Sequence, residues 1–144
     1  DPSRAIPHLW TLVQHPQMRQ HPDEARRYGE ALGRLLEAAG DRDGAIRALE
    51  GCHEQDPRNV PCSLSLGRVL LAAQQDEKAL KVFQPLLLGI DQMAPADQIA
   101  LLLALATLNA RAGNMPKAHQ FAARVLAIDP DHAQALSLLS SLPS

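Results

Sequence analysis

The sequence predicts an all-α fold, a solenoid of about three helix hairpins with an extra helix at the N-terminus and a capping helix at the C-terminus. Three observations predict it. Ala and Leu dominate the apolar residues, which make up 46% of the 144, while aromatics reach only 3%. That mix favours helices, where Ala and Leu lose little side-chain freedom, and a sheet would want more Val, Ile, Thr, Tyr and Phe. A turn phrase recurs, Asp41-Arg42-Asp43-Gly44-Ala45, then Asp76-Glu77-Lys78-Ala79, then Gly113-Asn114-Met115-Pro116-Lys117-Ala118. Ala45, Ala79 and Ala118 fall in register, 34 and then 39 positions apart, an internal repeat of supersecondary size. Apolar stripes at helical spacing flank each turn.

In chain order, Ser3 to Gln14 reads as a helix with Ile6, Leu9, Trp10 and Val13 on one face, suited to cover the open side of the first hairpin. Further helices are predicted at about 23–39, 43–55, 61–74, 76–88, 96–112, 115–128 and 132–142. Pro22 with Asp23, Pro61, and Pro95 with Asp97 mark starts, because proline costs nothing where the amide is unpaired and carboxylates suit the positive helix end. Gly40, Gly89 and Gly113 mark stops. Pro85 falls inside the fourth of these helices and predicts a kink or an early end. Before each turn a large residue precedes a small one on one face: Leu32-Gly33 with Leu36, Leu66-Gly67 with Leu70, and Leu105-Ala106 with Asn109. The small residue lets the next helix approach and the large one fills the space beside it. Leu49 and Cys52, Phe83 and Leu86, and Ala122 and Val125 supply the answering faces. Asp56-Pro57 and Asp129-Pro130 close two of the units.

Residues 24 to 130 resemble the tetratricopeptide repeat family, whose period is about 34 residues and whose repeat carries this large-small pair, the Ala of each turn and a closing proline. The sequence departs from that pattern at the aromatic positions of the first helices, filled by Gly29, Leu36, Ser63, Leu70, Leu102 and Asn109, and at Asp91, where the middle unit's proline would fall. The resemblance implies a right-handed α-solenoid as one domain over 1–144: an N-terminal helix or partial repeat at 1–22, repeats at 23–59, 60–94 and 95–130, and a capping helix at 131–144.

It also implies that first helices line a groove. The first unit offers Arg27, Glu30, Arg34 and Glu37, the second Leu64, Arg68 and Leu71, and the third Ala100, Leu103, Thr107 and Arg111. Arg34 and Arg68 occupy equivalent positions and would form a fork for a carboxylate or backbone carbonyl. Glu30 is also spaced to pair with Arg34 along its own helix, whereas Arg68 has no acid at i−4 or i+4. Some family members hold a chaperone's C-terminal carboxylate with a Lys and Asn clamp; Glu30, Arg34, Ser65, Ala100 and Ala104 stand at those positions here, so that clamp is not expected.

No catalytic set is visible. The six histidines lack ligand spacing, and there is neither a phosphate loop nor a nucleophile elbow. Cys52, on an apolar stripe, reads as a buried structural thiol, and Cys62, near a helix start, has no evident base. Two cysteines are too few for a disulfide framework. A formal charge of −2 gives no field for nucleic acid, and the longest apolar run, Ile99 to Ala106, falls far short of a bilayer span. No leader precedes Asp1, as in a mature product or an excised piece. The expectation is a soluble, cofactor-free, metal-free scaffold, cytoplasmic or periplasmic, that binds a protein or peptide as part of a larger protein or assembly. The alternatives are a spacer or self-association module, and a regulatory extension of an enzyme.

Overall fold

Prolines set where four of the helices begin: Pro22, Pro61, Pro95 and Pro116 each occupy a first turn, where no intrahelical bond is lost. The computed structural model describes residues 2–55 and 59–142. Among them every regular element is helical, and no helix is long and apolar enough to cross a membrane. Contacts divide the chain into two compact units, Asp1–Gln75 and Asp76–Ser144.

The first unit contains α1 (Pro2–Gln14), a 3-10 turn (Pro16–Gln20), α2 (Pro22–Ala38), α3 (Arg42–Gln55) and α4 (Val60–Ala72). The α2–α3 hairpin turns in a six-residue motif. The Asp41 amide donates to the Leu36 carbonyl at 2.8 Å and the Gly40 amide to Glu37 at 3.1 Å, with Gly40 at φ +82°. This arrangement satisfies orphan carbonyls at the helix end and needs one left-handed residue, which glycine supplies without a Cβ clash. Asp41 then caps α3, its Oδ1 accepting from the Gly44 amide at 2.9 Å. Asn59 caps α4 in the same way through the Cys62 amide at 3.2 Å.

The core of this unit is the seam of α2, α3 and α4: Leu32, Leu36, Leu49, Leu66, Val69 and Leu70 are all buried, each worth about 1.5–3 kcal/mol of transfer free energy. Gly33 faces Leu49 so closely that a Cβ would lie 2.7 Å from its Cγ. Ser63 is fully buried, and its hydroxyl is satisfied by His53 Nδ1 at 2.8 Å. Helix α1 packs on α2, as its apolar face predicts.

The second unit contains α5 (Asp76–Phe83), a 3-10 segment (Gln84–Gln92), α6 (Pro95–Arg111), α7 (Met115–Ile128) and α8 (Ala133–Ser141). The α6–α7 turn repeats the earlier motif, with Asn114 to Asn109 at 2.8 Å, Gly113 to Ala110 at 3.1 Å, and Gly113 at φ +83°. Leu101, Leu102, Leu105, Ala106 and Leu108 of α6 are buried with Ala118, Ala122 and Val125 of α7. Asn109, at a position apolar in the other units, turns its amide back to the Leu105 carbonyl at 2.7 Å. Helix α8 packs on α7, with Ala135 fully buried and Leu136 47% exposed.

Two expectations are corrected in the second unit. The helix expected over 76–88 ends at Phe83, and Gly89 does not stop the chain but kinks a 3-10 segment that runs to Gln92, with φ −112° and ψ 18°. Pro85 has no amide to close an α-helical bond and its ring crowds the preceding turn, so the backbone tightens to i→i+3 pairing. The Asp56-Pro57 closing signal lies outside the described residues.

Candidate binding faces of the helix hairpins

On the first unit, α2 and α4 lie in contact and carry seven of the eleven groove residues named above. Arg27, Arg34 and Arg68 are exposed, while Glu30, Leu64 and Leu71 are partly buried. The structure changes the reading of Arg68. It has no acid on its own helix, yet its Nη2 donates to Glu37 Oε1 of α2 at 3.0 Å. Both side chains are more than a third exposed, so the pair contributes at most about 1 kcal/mol, but it pre-positions the guanidinium. No Glu30–Arg34 ion pair forms among the described residues. Arg34 lies one turn before Glu37 along α2, and the carboxylate that Arg68 meets is Glu37.

On the second unit, Leu103 and Thr107 of α6 are half-buried and Arg111 is exposed. The Thr107 hydroxyl donates to the Leu103 carbonyl at 2.9 Å and is spent on its own helix. Arg111 Nη1 donates to Asp76 Oδ1 of α5 at 3.0 Å. In both units a groove arginine is thus held by a carboxylate of another helix.

The structure also joins two residues that the sequence reading treated separately. Cys52, near the end of α3, and Cys62, in the first turn of α4, bring their sulfurs into bonding contact as a disulfide, with Cα atoms 6.4 Å apart, inside the span such a bond bridges. Gly29 makes room for it, since a Cβ there would lie 3.0 Å from Cys52 Cβ. Beside it opens a cleft of about 380 Å³ lined by Trp10, Val13, Gly29, Arg47, Gly51 and Cys52, among others. The Arg47 guanidinium sits over Trp10, 5.8 Å from the ring centroid.

Two histidines have capping places. His15 and His132 accept at Nδ1 from the amides of Gln17 and Ala135, at 3.2 and 3.3 Å, as helix caps whose proton must sit on Nε2. Among the described residues, no group of three or more His, Cys, Asp or Glu is placed to hold a metal.

A family model described as a tetratricopeptide repeat matches residues 36–92. The chain is 31% identical over 107 residues to Protein CTR9 homolog of Arabidopsis thaliana, an alignment covering 74% of this chain and 9% of that protein's length. Among solved structures, "MamA RS-1 ArsTM double mutant" superposes with a TM-score of 0.62 at 19% identity, covering 94% of this chain and 91% of the other. That likeness shows a shared all-α fold. With the in-register turns and the large-small seams, the family match identifies residues 36–92 as tetratricopeptide repeat sequence.

Proposed function

We propose that this chain is a non-catalytic scaffold that binds an extended peptide or partner helix across the α2–α4 face. Tetratricopeptide repeats generally mediate protein–protein interaction. The observation that carries the reading is the Glu37–Arg68 pair, with the exposed Arg34 one turn away on α2 and the half-buried Leu64 and Leu71 on α4 and at its end. An apolar strip next to oriented guanidinium groups suits a ligand with leucine and acidic residues. Glu37 holds Arg68 ready and must yield it when a ligand carboxylate arrives. The repeats proposed as binding units are 23–59, 60–94 and 95–130.

The test is a fluorescence-anisotropy titration with a panel of labelled acidic, leucine-containing peptides, comparing the native chain with Arg34→Glu and Glu37→Gln. Arg34→Glu should weaken binding about tenfold or more, while Glu37→Gln, which releases Arg68, should strengthen it. If no peptide binds, or neither variant changes the affinity of one that does, this face is not the site.

Self-association is favoured as the second reading by Leu136, 47% exposed on α8, and Ile128, 38% exposed at the end of α7. It predicts a concentration-dependent mass in sedimentation that Leu136→Glu abolishes.

A further inference from the structure

We propose that Cys52 and Cys62 form a reversible thiol–disulfide exchange site in the folded first unit, with the cleft beside Cys52 as its entrance for a small disulfide of the glutathione type. The two sulfurs differ in access. Cys52 lines the cleft, whereas Cys62 is fully buried and is absent from its walls. Gly51 stands at the wall with nothing within 4 Å of where a Cβ would be, so the wall is open there, and Cys52 keeps 5% exposure where Cys62 has none. The exposed Arg47 gives the cleft a positive side that matches the carboxylates of glutathione.

The second observation is that both redox states are provided for. The Arg26 carbonyl lies 3.8 Å from Cys52 Sγ and the Leu49 carbonyl 3.4 Å from Cys62 Sγ. A disulfide has no hydrogen to give them. Once reduced, each thiol finds an acceptor in place, so neither is left as a buried donor without a partner.

The exchange balances as follows. In the reduced unit, the Cys52 thiolate attacks one sulfur of oxidised glutathione and expels one glutathione thiolate, leaving a mixed disulfide on Cys52. The Cys62 thiolate then attacks Cys52 Sγ, forming the Cys52–Cys62 bond and expelling the second glutathione thiolate. Two electrons pass from the cysteine pair to glutathione disulfide, and the two thiol protons end on two glutathiones. Reduction runs the same steps backward, with glutathione attacking at Cys52.

The full chain, incubated in graded mixtures of reduced and oxidised glutathione and quenched with a maleimide, is read by intact mass with circular dichroism as the check on folding. The bonded fraction should follow the mixture reversibly without loss of helix. Cys62→Ser should accumulate one glutathione on Cys52, and Cys52→Ser should take it up about tenfold more slowly, because access governs the rate. Gly51→Leu, which projects into open space, should slow exchange of the native pair by a similar factor. Equal rates for the two serine variants, an unchanged rate in Gly51→Leu, or exchange only in denaturant would each overturn the proposal. Should a serine variant lose helix, the native chain and Gly51→Leu decide it alone.

Discussion

The α2–α3 hairpin of the first unit and the α6–α7 hairpin of the second match residue for residue, yet they fill the same seam with different volumes. Gly33 of α2 corresponds to Ala106 of α6, and Leu49 of α3 corresponds to Ala122 of α7. All four are buried. One hairpin pairs a residue with no side chain against a leucine; the other divides the space between two alanines. The comparison teaches that the repeat fixes how much side chain the seam holds at this level, and leaves open which helix supplies it. It also shows why the large-small pattern is readable while individual residues vary, since cores tolerate exchange when total volume is kept.

The largest test of that equivalence is Leu49→Ala, which leaves a cavity opposite Gly33 and should cost about 2–5 kcal/mol in chemical denaturation. Gly33→Ala alone should cost about 1–3 kcal/mol by overpacking. The double variant rebuilds the Ala–Ala pair of the second unit, so its loss should fall well below the sum of the two. Strict additivity would sink the idea of a shared volume.

A smaller effect is expected one turn along α3, where Cys52 corresponds to Val125 of α7. Cys52→Val should lose about 2–3 kcal/mol against the oxidised protein, the cost of opening a crosslink across 10 positions. It should lose much less against the protein held in reductant. A loss that ignores reductant would mean that Cys52 matters for packing alone.

The smallest concerns the turns. Helix α4 ends in the same six-residue motif as α2 and α6, with Gln75 to Leu70 at 2.9 Å and Gln74 to Leu71 at 3.0 Å, but its left-handed residue is Gln74, at φ 60°. Gln74→Gly should therefore raise stability by up to about 1 kcal/mol, and Gly40→Gln should lower it by about as much. A melting temperature unmoved by either change would show that the turn geometry is imposed by the packed helices.

Seven of the eight α-helices were legible in the sequence to within a few residues, because caps, prolines and apolar stripes are local signals. Helix α5 was placed correctly at its start, and Pro85 was recognised as a break. The 3-10 continuation was not foreseen, since it depends on what the backbone does after the break, with the Ile90 carbonyl held by Gln98 Nε2 at 2.7 Å. The candidate faces were only partly legible. Leu64, Leu71 and Leu103, expected to line a groove, are half-buried. The Glu37–Arg68 pair was missed because charge spacing along one helix says nothing about the next helix over. The cysteine pair was missed for the same reason. Its one sequence signal, two cysteines on either side of a helix–helix connection, gains meaning only when Gly29 lets α3 come close.

The 3-10 segment at Gln84–Gln92 has an evolutionary consequence. A 3-10 helix advances about 2.0 Å per residue against about 1.5 Å for an α-helix, so a 3-10 segment that reverts to α-helical pairing takes up added residues without moving the ends it must connect. The longer interval from Ala79 to Ala118 is absorbed there, ahead of α6. Insertions and deletions at this joint would be tolerated by selection where the same changes inside α6 would rotate its buried face out of the core.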